Sequence, residues 1–145
     1  MIHRAFLLND RTAADLMTPL DEIVSLRVDN TVEEAAQRIV REPYSRYPVF
    51  GKHPHDVRGM VLSRDILEAV RDGQLDTRVE EVMQQILTVP ADQRSDALLY
   101  LFRDKHLHLA IVRQAGQTIG LVTLEDVIEA LVGDIQDERD VVVEH

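Results

Sequence analysis

The 145-residue sequence contains no cysteine and no tryptophan, and only three phenylalanines and three tyrosines. Without thiols there is no disulfide, no thiolate nucleophile and no Cys-ligated zinc, and nothing distinguishes an oxidising from a reducing compartment. No apolar run approaches the length of a membrane helix, and the opening MIHRAFLLND is too short in apolar residues for a signal peptide. The chain in hand is therefore expected to be soluble. Positive charge is also scarce: 16 Lys and Arg stand against 26 Asp and Glu, a formal net charge of −10. That balance disfavours attraction to a phosphate backbone, so no nucleic-acid partner is expected. A small phosphate ligand stays compatible, because one arginine or a helix N-terminus can dominate a pocket against the global sign. Catalytic signatures are missing too. No Ser-His-Asp order, glycine-rich phosphate loop or metal-protease helix is legible, and no enzyme is expected.

What is present is a folded composition, 45% hydrophobic and 29% charged with no long Gly, Ser or Pro run. The chain also repeats itself. GLVTLEDVI, residues 120–128, restates GMVLSRDIL, residues 59–67, at an offset of 61 that brings Gly59 onto Gly120, Val61 onto Val122, Asp65 onto Asp126 and Ile66 onto Val127. Each string reads as a strand running into a helix. Met17 and Met83 stand at matching lead-in positions.

Around these junctions the same order of elements recurs. DRTAADLM predicts a brief helix and EIVSLRV a strand. TVEEAAQRIV predicts an amphipathic helix capped by Thr31 with Glu34 and ending near Glu42-Pro43. SRYPVF and VRGMVL predict strands around the turn-like GKHPHD, and SRDILEAVRDG a helix closed by Gly73. In the second half RVEEVM predicts a short helix, ILTVP a strand and RSDALLYLFRDK a helix. HLAIVR and TIGLVT predict strands, and LEDVIEALVG a helix. Two copies of a unit too small to bury both faces of a three-stranded sheet should stack into one core and leave a cleft of approximate two-fold symmetry.

The strings DLMTPLDEIVSL, YSRYPVFG, HLAIV and GLVTLEDVIEALVGDIQDERD resemble, in order and spacing, the CBS (cystathionine-β-synthase-type) domain pair of the CorC/HlyC-like and cyclin M transporters. The similarity runs from about Asp10 to Asp140. It implies an α/β (α+β) fold of tandem repeats, 10–73 and 74–136, with linkers at 1–9 and 137–145. Transporters of that family, associated with magnesium and cobalt efflux and also described as haemolysin-like, carry a membrane domain before the module and often a small domain after it. The resemblance thus implies a regulatory piece of an inner- or plasma-membrane protein, lying on the cytoplasmic side, partnered by its own membrane domain and by a second copy in a homodimer.

It also implies an adenine-nucleotide ligand, ATP or AMP, with Mg²⁺ screening the phosphates of ATP. In the family's pattern Gly120, Thr123 and Asp126 place a hydroxyl and a carboxylate toward one ligand, and Asp126 accepts from ribose hydroxyls in charge-assisted bonds. The same residues equally suit helix capping, Thr123 as N-cap and Asp126 as an acid in the first turn. Arg46 is the expected phosphate partner, because a planar guanidinium grips two oxygens at once; a solvated arginine at a strand start is its plain alternative. By the same resemblance Tyr44 and Ser45 line the phosphate and sugar side. Thr18 and Ile23 meet the adenine, with core packing the commoner role for an isoleucine. The first junction offers Asp65 as a weaker second site, since Leu62 stands where the second half has Thr123, and Ser63 comes one residue late. One competent site is expected. Leu20 departs from a common arginine, and RQAGQ, residues 113–117, from an acidic glycine-rich turn.

Two rival readings remain. His106 and His108, two apart on an expected strand, share a face and both reach one ion in principle, with His53 and His55 nearby in type, but no third ligand is evident and no metal site is assigned. A ligand-free dimerisation scaffold, using the apolar LEDVIEALV helix as its interface, fits the repeat as well as a nucleotide sensor does.

Overall fold

The computed structural model describes the backbone of residues 11–143 and the side chains of residues 11–133. In chain order the first elements are α1 (Ala13–Leu16), β1 (Thr18–Pro19), a 3-10 turn (Leu20–Glu22), β2 (Leu26–Arg27), α2 (Val32–Arg41), β3 (Arg46–Phe50), β4 (Val57–Leu62) and α3 (Ser63–Arg71). A second 3-10 turn (Val79–Glu81) leads to β5 (Leu87–Pro90), α4 (Ser95–Lys105), β6 (Leu109–Gln114), β7 (Gln117–Thr123) and α5 (Leu124–Val143). Val24–Ile86 form one compact unit, and the stretches ending at Ile23 and beginning at Leu87 form the other. The fold is mixed α+β, two small sheets each served by its own helices.

In the central unit the sheet order is β2-β3-β4, β2 parallel and β4 antiparallel to β3. Four consecutive β3 residues, Tyr47 to Phe50, are buried, as a middle strand covered on both faces requires. Helix α2 begins at a capping box: Thr31 Oγ1 accepts from the Glu34 N–H at 3.2 Å, and the Thr31 N–H donates to Glu34 Oε1 at 2.9 Å. Its spacing then turns Val32, Ala35 and Ile39 inward, onto a core with Tyr47, Val49, Val61 and Ile66. Each valine or isoleucine so buried contributes roughly 1.5–3 kcal/mol against exposure.

The flanking unit repeats this arrangement with β5, β6 and β7, where Leu98, Phe102, Ala110, Val122 and Val127 form the core. It differs in one respect from the expected three strands. Thr18 and Pro19 pair antiparallel with Leu121 and Gly120, making a fourth strand in the order β1-β7-β6-β5. The turn between β6 and β7 has positive φ at both Ala115 (53°) and Gly116 (76°), the backbone that a two-residue type I′ hairpin demands.

The lead-in segments explain why compact units and sequence repeats cut the chain differently. Gln84, near the start of the second repeat, exchanges two backbone hydrogen bonds with Met60 of β4, at 2.7 and 2.9 Å. Thr18, near the start of the first repeat, sits on Leu121 in the same register. Each lead-in also supplies a core residue to the sheet it joins, Val79 in the central unit and Ala13 in the flanking one, both fully buried. Two glycines allow the approach. A Cβ on Gly59 would meet the Gln84 carbonyl oxygen, and one on Gly120 would meet Met17 Sδ and stand 2.6 Å from the Thr18 carbonyl oxygen.

Other differences are local. The expected strand EIVSLRV shortens to Leu26–Arg27 because Leu20–Glu22 coil into a 3-10 turn, closed by the Ile23 N–H on the Leu20 carbonyl at 3.1 Å. RVEEVM condenses to the single 3-10 turn Val79–Glu81. Helix α5 runs through Gly133, where the sequence suggested a stop, to Val143.

Candidate functional site

Strand β7 delivers Thr123 to the start of α5, and the side chains there close on the backbone. The Asp126 N–H donates to Thr123 Oγ1 and the Thr123 N–H donates to Asp126 Oδ2, each at 3.0 Å. This is the capping alternative in full, and it leaves the carboxylate held rather than swinging. The cap engages Oδ2 alone and leaves Oδ1 outside it. Asp126 borders a cavity of about 370 Å³ together with Arg11, Asp15 and Glu129. The lining thus combines three carboxylates, which accept hydroxyl donors well, with one guanidinium.

Thr18 belongs to the same unit. Its pairing with Leu121 puts it two register positions from Thr123, and Ile23, half-buried, follows the 3-10 turn. Tyr44, Ser45 and Arg46 belong to the central unit, at the start of β3. Their loop is fixed by Tyr47, whose buried hydroxyl donates to the Glu42 carbonyl at 2.6 Å and accepts from the Tyr44 N–H at 2.8 Å. The Ser45 carbonyl accepts from the Ser63 N–H at 2.9 Å, and Arg46 pairs with Leu62 across the sheet. This leaves Tyr44 58% exposed, edge-on to Tyr47.

The first junction is built otherwise. Helix α3 begins at Leu62 with no side-chain cap, and Asp65 Oδ2 accepts from Gln84 Nε2 at 3.4 Å. Neither Gln84 nor the cavity acid Asp15 was legible as a site residue, because Asp65 and Asp126, the acids they meet, are far away in sequence.

The histidines come apart. His106 is not on a strand: it terminates α4 in the left-handed region at φ 54°, and β6 begins only at Leu109. The rule that alternate strand residues share a face therefore does not apply to His106 and His108. His53 and His55 lie in the other unit with ring centroids 5.7 Å apart. Among the described residues no cluster of three or more His, Cys, Asp or Glu is arranged to hold a metal.

A second feature of the flanking unit is an apolar groove of about 570 Å³ between α4 and α5, lined by Leu99, Tyr100, Leu124, Val127, Ile128 and Leu131, with Asp96 and Arg103 also on its walls.

Comparison with known proteins gives this geometry a family. The CBS domain family model matches residues 13–72 and 79–133. The chain belongs to the CBS domain family. This CBS pair is 33% identical over 132 residues to the magnesium and cobalt efflux protein CorC of Escherichia coli K12, covering 90% of this chain and 45% of CorC. It thus spans less than half the length of that relative. Among solved structures, the CBS domain of a bacterial CNNM/CorC family Mg²⁺ transporter in complex with ATP superposes with a TM-score of 0.86 at 32% identity, covering 91% of the CBS pair and 94% of that chain. A CBS-domain pair with bound AMP from Klebsiella pneumoniae shares the fold, with a TM-score of 0.74, 22% identity, and 83% and 98% covered. The CBS pair is a module of the CNNM/CorC type. Among the described residues no helix is long and apolar enough to cross a membrane.

Proposed function

We propose that this CBS pair is the adenine-nucleotide-sensing module of a CNNM/CorC-type magnesium or cobalt transporter. The observation that carries the proposal is the Thr123–Asp126 junction: a carboxylate immobilised by the helix start through one oxygen only, in a chain 32% identical to a CBS domain solved with ATP. In this reading Asp126 Oδ1 accepts from ribose hydroxyls, with Thr123 beside it, and Thr18 and Ile23 take the adenine. Arg46 takes the phosphates, with Tyr44 and Ser45 beside it. ATP brings Mg²⁺, which offsets its charge against this acidic protein; AMP competes for the adenosine contacts. The nucleotide changes transport only through its differential affinity for two states of the module, which a membrane domain of the same protein then feels from the cytoplasmic side.

Isothermal titration with ATP, with and without Mg²⁺, and then with AMP tests this. Saturable binding that disappears in Asp126→Ala while the variant still melts cooperatively is the expected result. No binding by the folded wild type sinks the nucleotide reading. What then stands is the scaffold reading, which has its own support. Around the α4–α5 groove Tyr100, Ile128 and Val132 are exposed. Asp96 and Arg103, seven residues apart on α4, are charged oppositely, so an antiparallel two-fold pairing sets each against the other. A homodimer through this face is compatible with both readings, and sedimentation of wild type against Ile128→Glu measures it.

A further inference from the structure

The sequence sets His106 beside His108 as the pair on one face; the fold instead brings His53 to His55. These two flank Pro54 in the loop, residues 51–56, that joins β3 to β4. Their ring centroids are 5.7 Å apart, with the ring planes tilted by 54°. Two imidazoles on one tetrahedral ion, each with a nitrogen about 2.0–2.1 Å from the metal, set their ring centres roughly 5–5.5 Å apart. A small rotation of the side chains closes that difference.

The backbone holds the spacing by its own bonds. The Asp56 N–H donates to the His53 carbonyl at 3.0 Å, closing a turn with Pro54 at its second position, where a fixed φ favours proline. The proline also confines His53, the residue before it, to extended backbone. Outside this turn the Gly51 N–H donates to the Asp56 carbonyl at 2.7 Å, which ends the hairpin. An ion thus meets two rings already mounted on one short turn, and little chain entropy remains to be lost on binding. His53 is exposed and His55 half-buried, so entry is from solvent.

The neighbouring acid is engaged elsewhere. Asp56 Oδ1 accepts from Arg58 Nε at 2.9 Å, and Oδ2 lies against Gly51, where a Cβ would overlap it. The pair therefore has no third His, Cys, Asp or Glu ligand among the described residues. Two imidazoles without a carboxylate select by chemistry: such nitrogen donors suit zinc, nickel and copper, whereas Mg²⁺ takes oxygen ligands and gives up its water reluctantly.

We propose that His53 and His55 form a two-imidazole site for a divalent transition ion of the zinc class, with water completing its coordination. The loop follows the end of β3 opposite to Tyr44, Ser45 and Arg46 and shares no residue with the nucleotide contacts, so this site stands apart from the nucleotide reading.

Isothermal titration of Zn²⁺ into the untagged chain, followed in parallel by the histidine ring resonances, tests the proposal. The first equivalent should move the resonances of His53 and His55 and leave those of His106 and His108 in place. His53→Ala and His55→Ala should each weaken that binding tenfold or more, and the His53 variant, changed at an exposed position, should melt with the wild type. An excess of Mg²⁺ should not compete. Absence of Zn²⁺ binding by the wild type, binding that survives His53→Ala, or displacement by Mg²⁺ overturns the proposal.

Discussion

Thr123 and Asp126 cap one another across the first turn of α5, with two 3.0 Å bonds between side chain and backbone. A residue so placed has two roles that mutation must separate. Asp126→Ala should lower stability by about 1 kcal/mol, as other lost N-terminal caps do, a fall of a few degrees in melting temperature for a chain of this size. Its effect on ATP affinity should be larger, tenfold or more. Asp126→Asn, which keeps an acceptor for the Thr123 N–H, should recover most of the melting temperature and little of the affinity. Equal recovery of both would mean that the carboxylate acts only as a cap.

Gly120 and Gly133 predict opposite outcomes for the same substitution. Gly120→Ala drives a methyl into Met17 and the Thr18 carbonyl, where backbone cannot yield, and should destabilise by roughly 1–3 kcal/mol. Gly133 lies inside α5, where a Cβ would meet nothing within 4 Å, and should gain up to about 1 kcal/mol on becoming alanine. Urea unfolding of both variants measures the pair.

Tyr47→Phe removes a buried hydroxyl that serves the Glu42 carbonyl and the Tyr44 N–H together. Leaving those two groups unmatched should cost about 1–3 kcal/mol. Because the loop they fix carries Tyr44, Ser45 and Arg46, ATP affinity should fall with stability, whereas adenosine affinity should fall less. Calorimetry with the two ligands distinguishes loop disorder from general unfolding.

His106 ends α4 at a backbone angle that glycine adopts freely. Glycine there gives the unfolded chain more conformational entropy to lose on folding, worth about 0.4–1 kcal/mol, against relief of a left-handed penalty of about 1–2 kcal/mol. His106→Gly should therefore stabilise the protein by roughly 0.5 kcal/mol, the opposite of what loss of a metal ligand would give. Thermal melts with and without added Zn²⁺ check the sign.

The Arg58 side chain donates to Asp56 at 2.9 Å, and that bond, reinforced by its charge, holds the Asp56 carboxyl below its ordinary value. With the folded pKa depressed, whatever the pair contributes is present above the unfolded pKa and lost as pH falls through the folded one. The pair is exposed, so the readout is titration rather than stability: in Arg58→Gln the Asp56 carboxyl resonance should titrate at higher pH.

The elements whose signals are local could be read from the sequence. The Thr31–Glu34 and Thr123–Asp126 caps are bonds between residues three apart, and the inward faces of α2 and β3 follow from spacing alone. The repeat of 61 residues likewise declared two equivalent units, and its broken positions, Leu62 for Thr123, declared them unequal. Tertiary structure decided the rest. Thr18 joins Leu121, and Gln84 joins Met60, through backbone groups that every residue carries, so nothing in their side chains announces the pairing; only Gly120 and Gly59 mark it, as the places where two backbones come too close for a Cβ. The engagement of Asp65 by Gln84 and the acidic cavity beside Asp126 were decided at the same level. Both depend on where separate stretches of chain come to rest, and that is set by burial of Ala13 and Val79 in their cores rather than by any local preference of the residues that meet.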